Sequence, residues 1–423
     1  MRLTAGRLGH RPALQLFPIA LLGTVAYWAA YLDPVNYGGY WISTVSNSAI
    51  FLLFSCPYLA VTSAAEASRE RRGRTGSGTR QPIMILVARC WPGMLGAVLI
   101  QLSGLLLLTS AIGPAPVGSV PAMLVAIVSI LAVLLVHAGL GYLLGFLLPV
   151  AAALPLSLLV SYCWLGFTWS VSWFPLRYLS GLELVDCCSV STALDARGPV
   201  ATTVFCAGAG LGLAVLISAL AATAARARRV GVAIAAVAVT VGTIAALGIA
   251  APLGAGPTMA RDPDEAICTG TQPTLCLFPE LTASATVSES LLYGYRRLKD
   301  FGWAMPATLR SGGIDDDVAD TLSLALRPGM TSAEVARSLA SSLLPAAGPV
   351  LCSGAADYEL RMAVYEVAFE VLAREAGTSG TEAYSDAGAL LSEVQALPAG
   401  ERLDWLRRYV PSLSDCAVTP PSA

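Results

Sequence analysis

The spacing of charges constrains this chain more than any other feature. Arg89 is followed by 87 residues without a charged side chain, Asp33 by 32, Arg229 by 31, Arg197 by 28 and Arg11 by 21. A helix needs roughly 20 apolar residues to cross a bilayer's hydrocarbon, so each run can hold at least one span. Only 13% of the 423 residues are charged and 55% are hydrophobic, where a soluble domain carries about a quarter charged. A soluble globular enzyme is excluded.

The longest run, 90–176, holds more than two helices. Turn residues at Gly113-Pro-Ala-Pro-Val-Gly-Ser-Val-Pro121 and at Pro149 divide it into three. With the other runs this predicts seven spans, over about 14–32, 45–64, 90–112, 121–147, 150–174, 202–224 and 230–251. The first apolar stretch is long and lacks a small-residue cleavage site, so no cleavable signal peptide is expected.

Arginine placement orients the bundle. Arg2, Arg7 and Arg11 precede span one. Arg69, Arg71, Arg72, Arg74, Arg80 and Arg89 lie between spans two and three, and Arg226, Arg228 and Arg229 between spans six and seven. A cytoplasmic N-terminus puts all twelve on the inside and leaves Arg177 and Arg197 outside. The last two clusters share a side only if an even number of spans separates them, and four does so. Seven spans then put the C-terminus outside, at the surface of a cell membrane.

Residues 1–254 hold 14 arginines against 6 acids, whereas 255–423 hold 12 basic and 22 acidic residues. The acidic part is long enough to fold alone, as an extracytoplasmic domain. Apolar residues near helical spacing predict helices at 281–301, 317–326, 332–344, 357–375, 387–397 and 398–410, with no useful alternating strand pattern. The expected fold class is therefore all-α: a seven-span membrane bundle (1–254) followed by a mostly helical, disulfide-containing domain (255–423).

Cys268, Cys276, Cys352 and Cys416 make an even set for an oxidising compartment. Three pairings are open. The short loop around Pro273 favours Cys268–Cys276 and hence Cys352–Cys416. A four-cysteine zinc site is the lesser reading, since no tight Cys-x-x-Cys pair is present. Cys187 and Cys188, in the external loop after span five, could bridge each other, pair elsewhere or stay free. The acids Asp315, Asp316, Asp317 and Asp320 lack the glycine and closing glutamate of a calcium loop, and read as the acidic start of a helix.

Missing residues exclude chemistry. The single lysine, Lys299, stands in Arg-Arg-Leu-Lys, not behind the glycine of a phosphate-binding loop. With only His10 and His137 in the chain, neither a His-Glu-x-x-His zinc site nor an external Ser/His/Asp triad can be built. No enzyme activity, cofactor, metal or nucleic-acid partner is expected.

His137, deep in span four, is the ionisable residue expected inside the apolar region. Such groups are functional candidates. A single histidine without acids at depth makes no proton relay, so a neutral imidazole bonded to a neighbouring helix is preferred. Gln101 in span three is read the same way. Gly141-x-x-x-Gly145 and Gly208-x-x-x-Gly212 mark faces where helices approach closely.

The sizeable cytoplasmic segment runs from Glu66 to Arg80. It begins as a charged extension of span two with Glu66, Arg69, Glu70, Arg71, Arg72 and Arg74, and ends Gly/Ser-rich. In part it anchors to anionic lipid. This segment, the six-span block behind a cytoplasmic N-terminus, and Cys268 to Cys276 followed by Leu-Phe-Pro279-Glu280 together resemble the membrane subunits of ABC-type exporters. The nearest likeness is to actinobacterial permease-like proteins with a C-terminal extracytoplasmic domain. The resemblance implies export of a small hydrophobic or peptide compound, powered by a separate cytosolic ATP-binding subunit that docks on those six charged residues. It also implies a homodimer or heterodimer. The competing expectation is a non-transporting receptor or assembly protein whose outer domain binds a ligand or partner.

Overall fold

The computed structural model describes residues 11–31, 41–73, 82–112, 120–190, 192–222, 224–282, 284–312, 320–345, 358–378 and 387–415. Contacts divide the chain into two compact units, Met1–Met259 and Ala260–Ala423, where 254/255 was the expected division.

The first unit is a helical bundle. Among the described residues, seven helices are long and apolar enough to cross a membrane: Pro12–Tyr31, Trp41–Arg71, Ala88–Ser110, Val120–Leu147, Val150–Ser170, Arg197–Ala221 and Ala225–Ala250. They are spans one to seven below. The protein is a membrane protein on this evidence of length and composition.

Span two is the axis of the unit. Its apolar window is 83% buried, against 11–44% in the other six, and it packs on spans one, three, four and five. Lipid tails are as apolar as leucine, so the hydrophobic effect does not pull helices together inside a bilayer, and close packing has to. Gly141 and Gly145 supply it: a Cβ on either would lie 2.0 or 2.1 Å from the Ala60 or Ala64 carbonyl oxygen of span two. Backbone therefore meets backbone, as the spacing of the two glycines predicts. Gly208 meets Gly242 in the same way where span six carries span seven.

The segment joining spans five and six departs from expectation. The sequence reads as an external loop, yet the chain turns back as a helical turn, Phe174–Arg177, and a 3₁₀ helix, Leu182–Asp186. Leu182, Leu184, Cys187, Cys188 and Leu194 join the same buried cluster as Phe51, Leu134 and Leu165. Gly181 makes this cap possible. Its φ is +80°, and a Cβ there would lie 2.6 Å from Val133 of span four. Apolar side chains between the few charges of this segment drive it into the bundle.

The second unit combines helices with a sheet. Strands β1 (Ile267–Thr269), β2 (Thr274–Leu277), β3 (Thr308–Ser311) and β4 (Thr321–Leu324) lie in that order. The β1–β2 pair is antiparallel and the other two pairs are parallel. Helix α1 (Ala285–Phe301) connects β2 to β3, as a parallel pair requires. It packs with α2 (Ser332–Ser342) and α3 (Tyr358–Glu375), and α4 (Gly388–Ala396) and α5 (Ala399–Tyr409) follow. Thr331 and Glu334 form a reciprocal capping box at the start of α2.

The sheet corrects the reading of this unit as lacking strands. Within the expected helix 317–326, residues Thr321–Leu324 form β4 instead, and its backbone pairs with β3. The four strands are three or four residues long, too short to display a period of two. Asp315, Asp316 and Asp317 lie outside the described residues.

Gly145→Ala should lower stability by about 1–3 kcal/mol, because the added methyl meets backbone that cannot rotate away. Gly210→Ala is the control, with nothing within 4 Å of its Cβ. Thermal unfolding of both in one detergent decides the point; equal midpoints would show that spans two and four are not in backbone contact.

Candidate functional site

Polar residues run the length of span two, and they are inside. Ser43, Thr44, Ser46, Asn47, Ser48, Ser55, Thr62, Ser63, Glu66 and Ser68 are all buried. No water is available in hydrocarbon, so the span richest in hydroxyl side chains takes the centre and satisfies its groups against its neighbours.

This helix is broken once. An α-helical stretch, Trp41–Asn47, gives way to a 3₁₀ turn, Ser48–Phe51, before the long helix Leu52–Gly73. Gln101 of span three sits on the break, 2.8 Å from Ser55 Oγ and 3.1 Å from the Ser48 carbonyl oxygen. Both contacts are satisfied when the amide nitrogen donates to Ser48 and the amide oxygen accepts from Ser55. Gln101 thus bridges the two halves of span two where the regular ladder lapses. A 3₁₀ stretch inside a long helix is a recurrent hinge geometry.

His137 is held between spans four and five. Its Nδ1 lies 2.8 Å from Ser161 Oγ, and both residues are buried. At the other edge of the bundle Asn47 donates to the Cys187 carbonyl at 3.2 Å, tying span two to the cap. Cys187 and Cys188 are joined to each other.

The charged end of span two is built against span four. Glu66 is 7% exposed and pairs with Arg69 at 3.5 Å. Tyr142 donates to Glu70 Oε2 at 2.5 Å. Ser68 donates to the Gly145 carbonyl, and Arg71 donates to the Leu147 carbonyl at 3.2 Å. A cation there satisfies a carbonyl at a helix C-terminus and meets its negative end. Glu66, Arg69, Glu70 and Arg71 are therefore brought together in two helical turns. Arg74 lies outside the described residues, and Arg72 is described only as backbone of the helix Leu52–Gly73.

One residue escaped the sequence reading. Glu183, in the cap's 3₁₀ helix, is 0% exposed. Thr202 of span six donates to its Oε1 at 2.8 Å, while Oε2 is buried without a hydrogen bond among the described residues. Burial raises this carboxyl to about 8, outweighing Thr202 and the nearby Gly181 and Glu183 amides. The legible signal is Gly181-Leu-Glu-Leu184, an acid between leucines.

In the second unit Cys268 and Cys276 are bonded across β1 and β2, where they face each other in register. Cys352 and Cys416 lie outside the described residues. Arg261 and Glu280 form a two-pronged pair at 3.0 and 3.1 Å, with Arg261 also over the Phe278 ring. Arg337 bonds Glu370 at 2.6 Å, and the buried Arg361 donates to the Ser412 carbonyl. These arginines hold the unit's elements together. A shallow cleft is lined by Glu289, Ser290, Tyr293, Ser332, Ala376 and Gly377.

A family described as a domain of unknown function, DUF7224, matches residues 275–416. The match begins in β2 and ends just after α5. No curated protein and no solved structure matches the chain.

Gln101→Leu should cost about 1–3 kcal/mol, because it strands the Ser48 carbonyl in a dry interior. Ser55→Ala, which removes one bond only, should cost less. Unfolding midpoints in a single detergent give the order, and a harmless Gln101→Leu would show that the break in span two does not need this amide.

Proposed function

We propose that this chain is the membrane subunit of an ATP-driven exporter of the ABC type, working with a separate cytosolic ATP-binding protein on a small hydrophobic or peptide compound. In this reading the N-terminus is cytoplasmic and the second unit is extracytoplasmic. The Cys268–Cys276 bond fits an oxidising compartment, and the arginine clusters fit the positive-inside rule.

One observation carries the reading. The charged segment 66–73 is no separate loop but the continuous end of the most buried span. A force on it is delivered to the centre of the bundle. Its hold on span four through Glu70–Tyr142 and Arg71–Leu147 spreads that force to a second helix. Arg69, with 44% of its side chain exposed, is the charge offered outward for docking, while Glu66 and Glu70 brace the segment. The Gln101 break then allows the outer third of span two to move relative to the rest.

A second reading, a receptor or assembly protein, draws on the second unit. Its cleft presents Tyr293, 55% exposed, beside Glu289. Such a protein would need no ATP-binding partner.

The two readings separate on purification. An exporter subunit should bring down an ATP-binding protein from membranes of the native host, and Arg69→Glu should abolish that capture while insertion is unchanged. Normal capture by the variant would remove Arg69 from the interface, and capture of no ATP-binding protein by the wild type would sink the exporter reading. A reporter fused after Ala423 should be active only outside the cytoplasm; activity inside would invert the orientation.

A further inference from the structure

Among the described residues, Glu183 is an acid buried without a cation. Its neighbours Leu182 and Leu184 are fully buried in the bundle core. The elements packed against its 3₁₀ helix are 41–51, span five and span six. Residues 41–51 carry no titratable side chain, span five carries Tyr162 and Cys163, and span six carries Arg197 and Cys206. On the cap itself stand Arg177, Tyr178, Asp186 and Asp195. Both arginines are committed elsewhere: Arg197 to Asp195 at 2.6 Å, and Arg177 to the Val171 carbonyl at 2.7 Å. Asp186 accepts from Trp169, and Tyr178 donates to the Gly254 carbonyl. Span four contributes Val133 against Gly181, with His137 one turn deeper bonded to Ser161.

Beyond the Gly181 and Glu183 amides, the hydroxyl donor count then favours the neutral acid. Thr202 has one hydroxyl proton, and three acceptors surround it: the Tyr178 carbonyl at 2.7 Å, Glu183 Oε1 at 2.8 Å and the Gly198 carbonyl at 3.3 Å. An ionised Glu183 and the buried Tyr178 carbonyl would compete for that one proton. A neutral Glu183 removes the conflict: its own O–H donates to Thr202 Oγ1, and Thr202 donates onward to Tyr178.

We propose that Glu183 is a proton-binding latch, whose neutral acid closes the cap on span six through Thr202 and whose loss of that proton to solvent base releases Leu182–Asp186 from the bundle. The inference is independent of the exporter reading.

The sign follows from linkage. The buried carboxyl stands at about 8 against an ordinary 4.5, and a released cap returns it to the ordinary value. The closed state is fully favoured below about pH 4.5. Its advantage falls about tenfold per pH unit above that, and is lost as pH passes about 8.

The test uses the full chain in lipid nanodiscs, reading the infrared carbonyl band of a protonated carboxylic acid against pH. The wild type should show a band that disappears with a midpoint near pH 8, and Glu183→Gln should lack it. Hydrogen exchange over 178–186, corrected for its intrinsic pH dependence, should lose protection about tenfold per pH unit between about pH 6 and 8 in the wild type. In Glu183→Gln it should stay flat. If that variant does not fold, Thr202→Val replaces it, and the band should shift in frequency as its acceptor disappears. A band untouched by both substitutions, or already gone at about pH 6, overturns the latch; so does exchange that tracks pH equally in the wild type and Glu183→Gln.

Discussion

The structure depends on one constraint: inside hydrocarbon, every polar group has to find its partner within the protein. Span two carries the most hydroxyls, an asparagine and, at its end, carboxylates, so it cannot face lipid. It takes the axis, and spans one, three, four and five, each with fewer hydroxyls, pack against it. Span seven, with a window only 17% buried, has its close seam against span six.

The same constraint explains where the bundle is irregular. A 3₁₀ turn inside a span leaves the backbone ladder imperfect, and such a defect persists only where a side chain can meet it. Gln101 does so from span three. The cap follows the logic from the opposite direction. Leu182 and Leu184 gain burial by entering the bundle, and they carry Glu183 with them. An acid without a cation is tolerated there as long as it stays neutral and bonded to Thr202.

The two ends of span two are thereby connected through one element. At one end Asn47 bonds the cap; at the other Glu70 and Arg71 bond the end of span four. Between them lies the Gln101 break. Movement at either end has a continuous, buried route to the other.

Charge spacing, glycine spacing and turn residues reveal seven apolar helices and the contact of Gly141 and Gly145 with span two, because those features act locally or through strict periodicity. The Cys268–Cys276 pair was legible from its short loop. The four-stranded sheet was not: strands of three or four residues carry almost no period, and its β2–β3 pairing joins Thr274 to Thr308 in parallel register, far apart in the chain. Nor was Glu183, since charge alone marks a loop as wet. Sequence by itself determined which segments must leave water and how many there are. Only the tertiary structure decided which span is central, which glutamate is buried and which amide mends the broken helix, because those depend on partners brought together from distant parts of the chain.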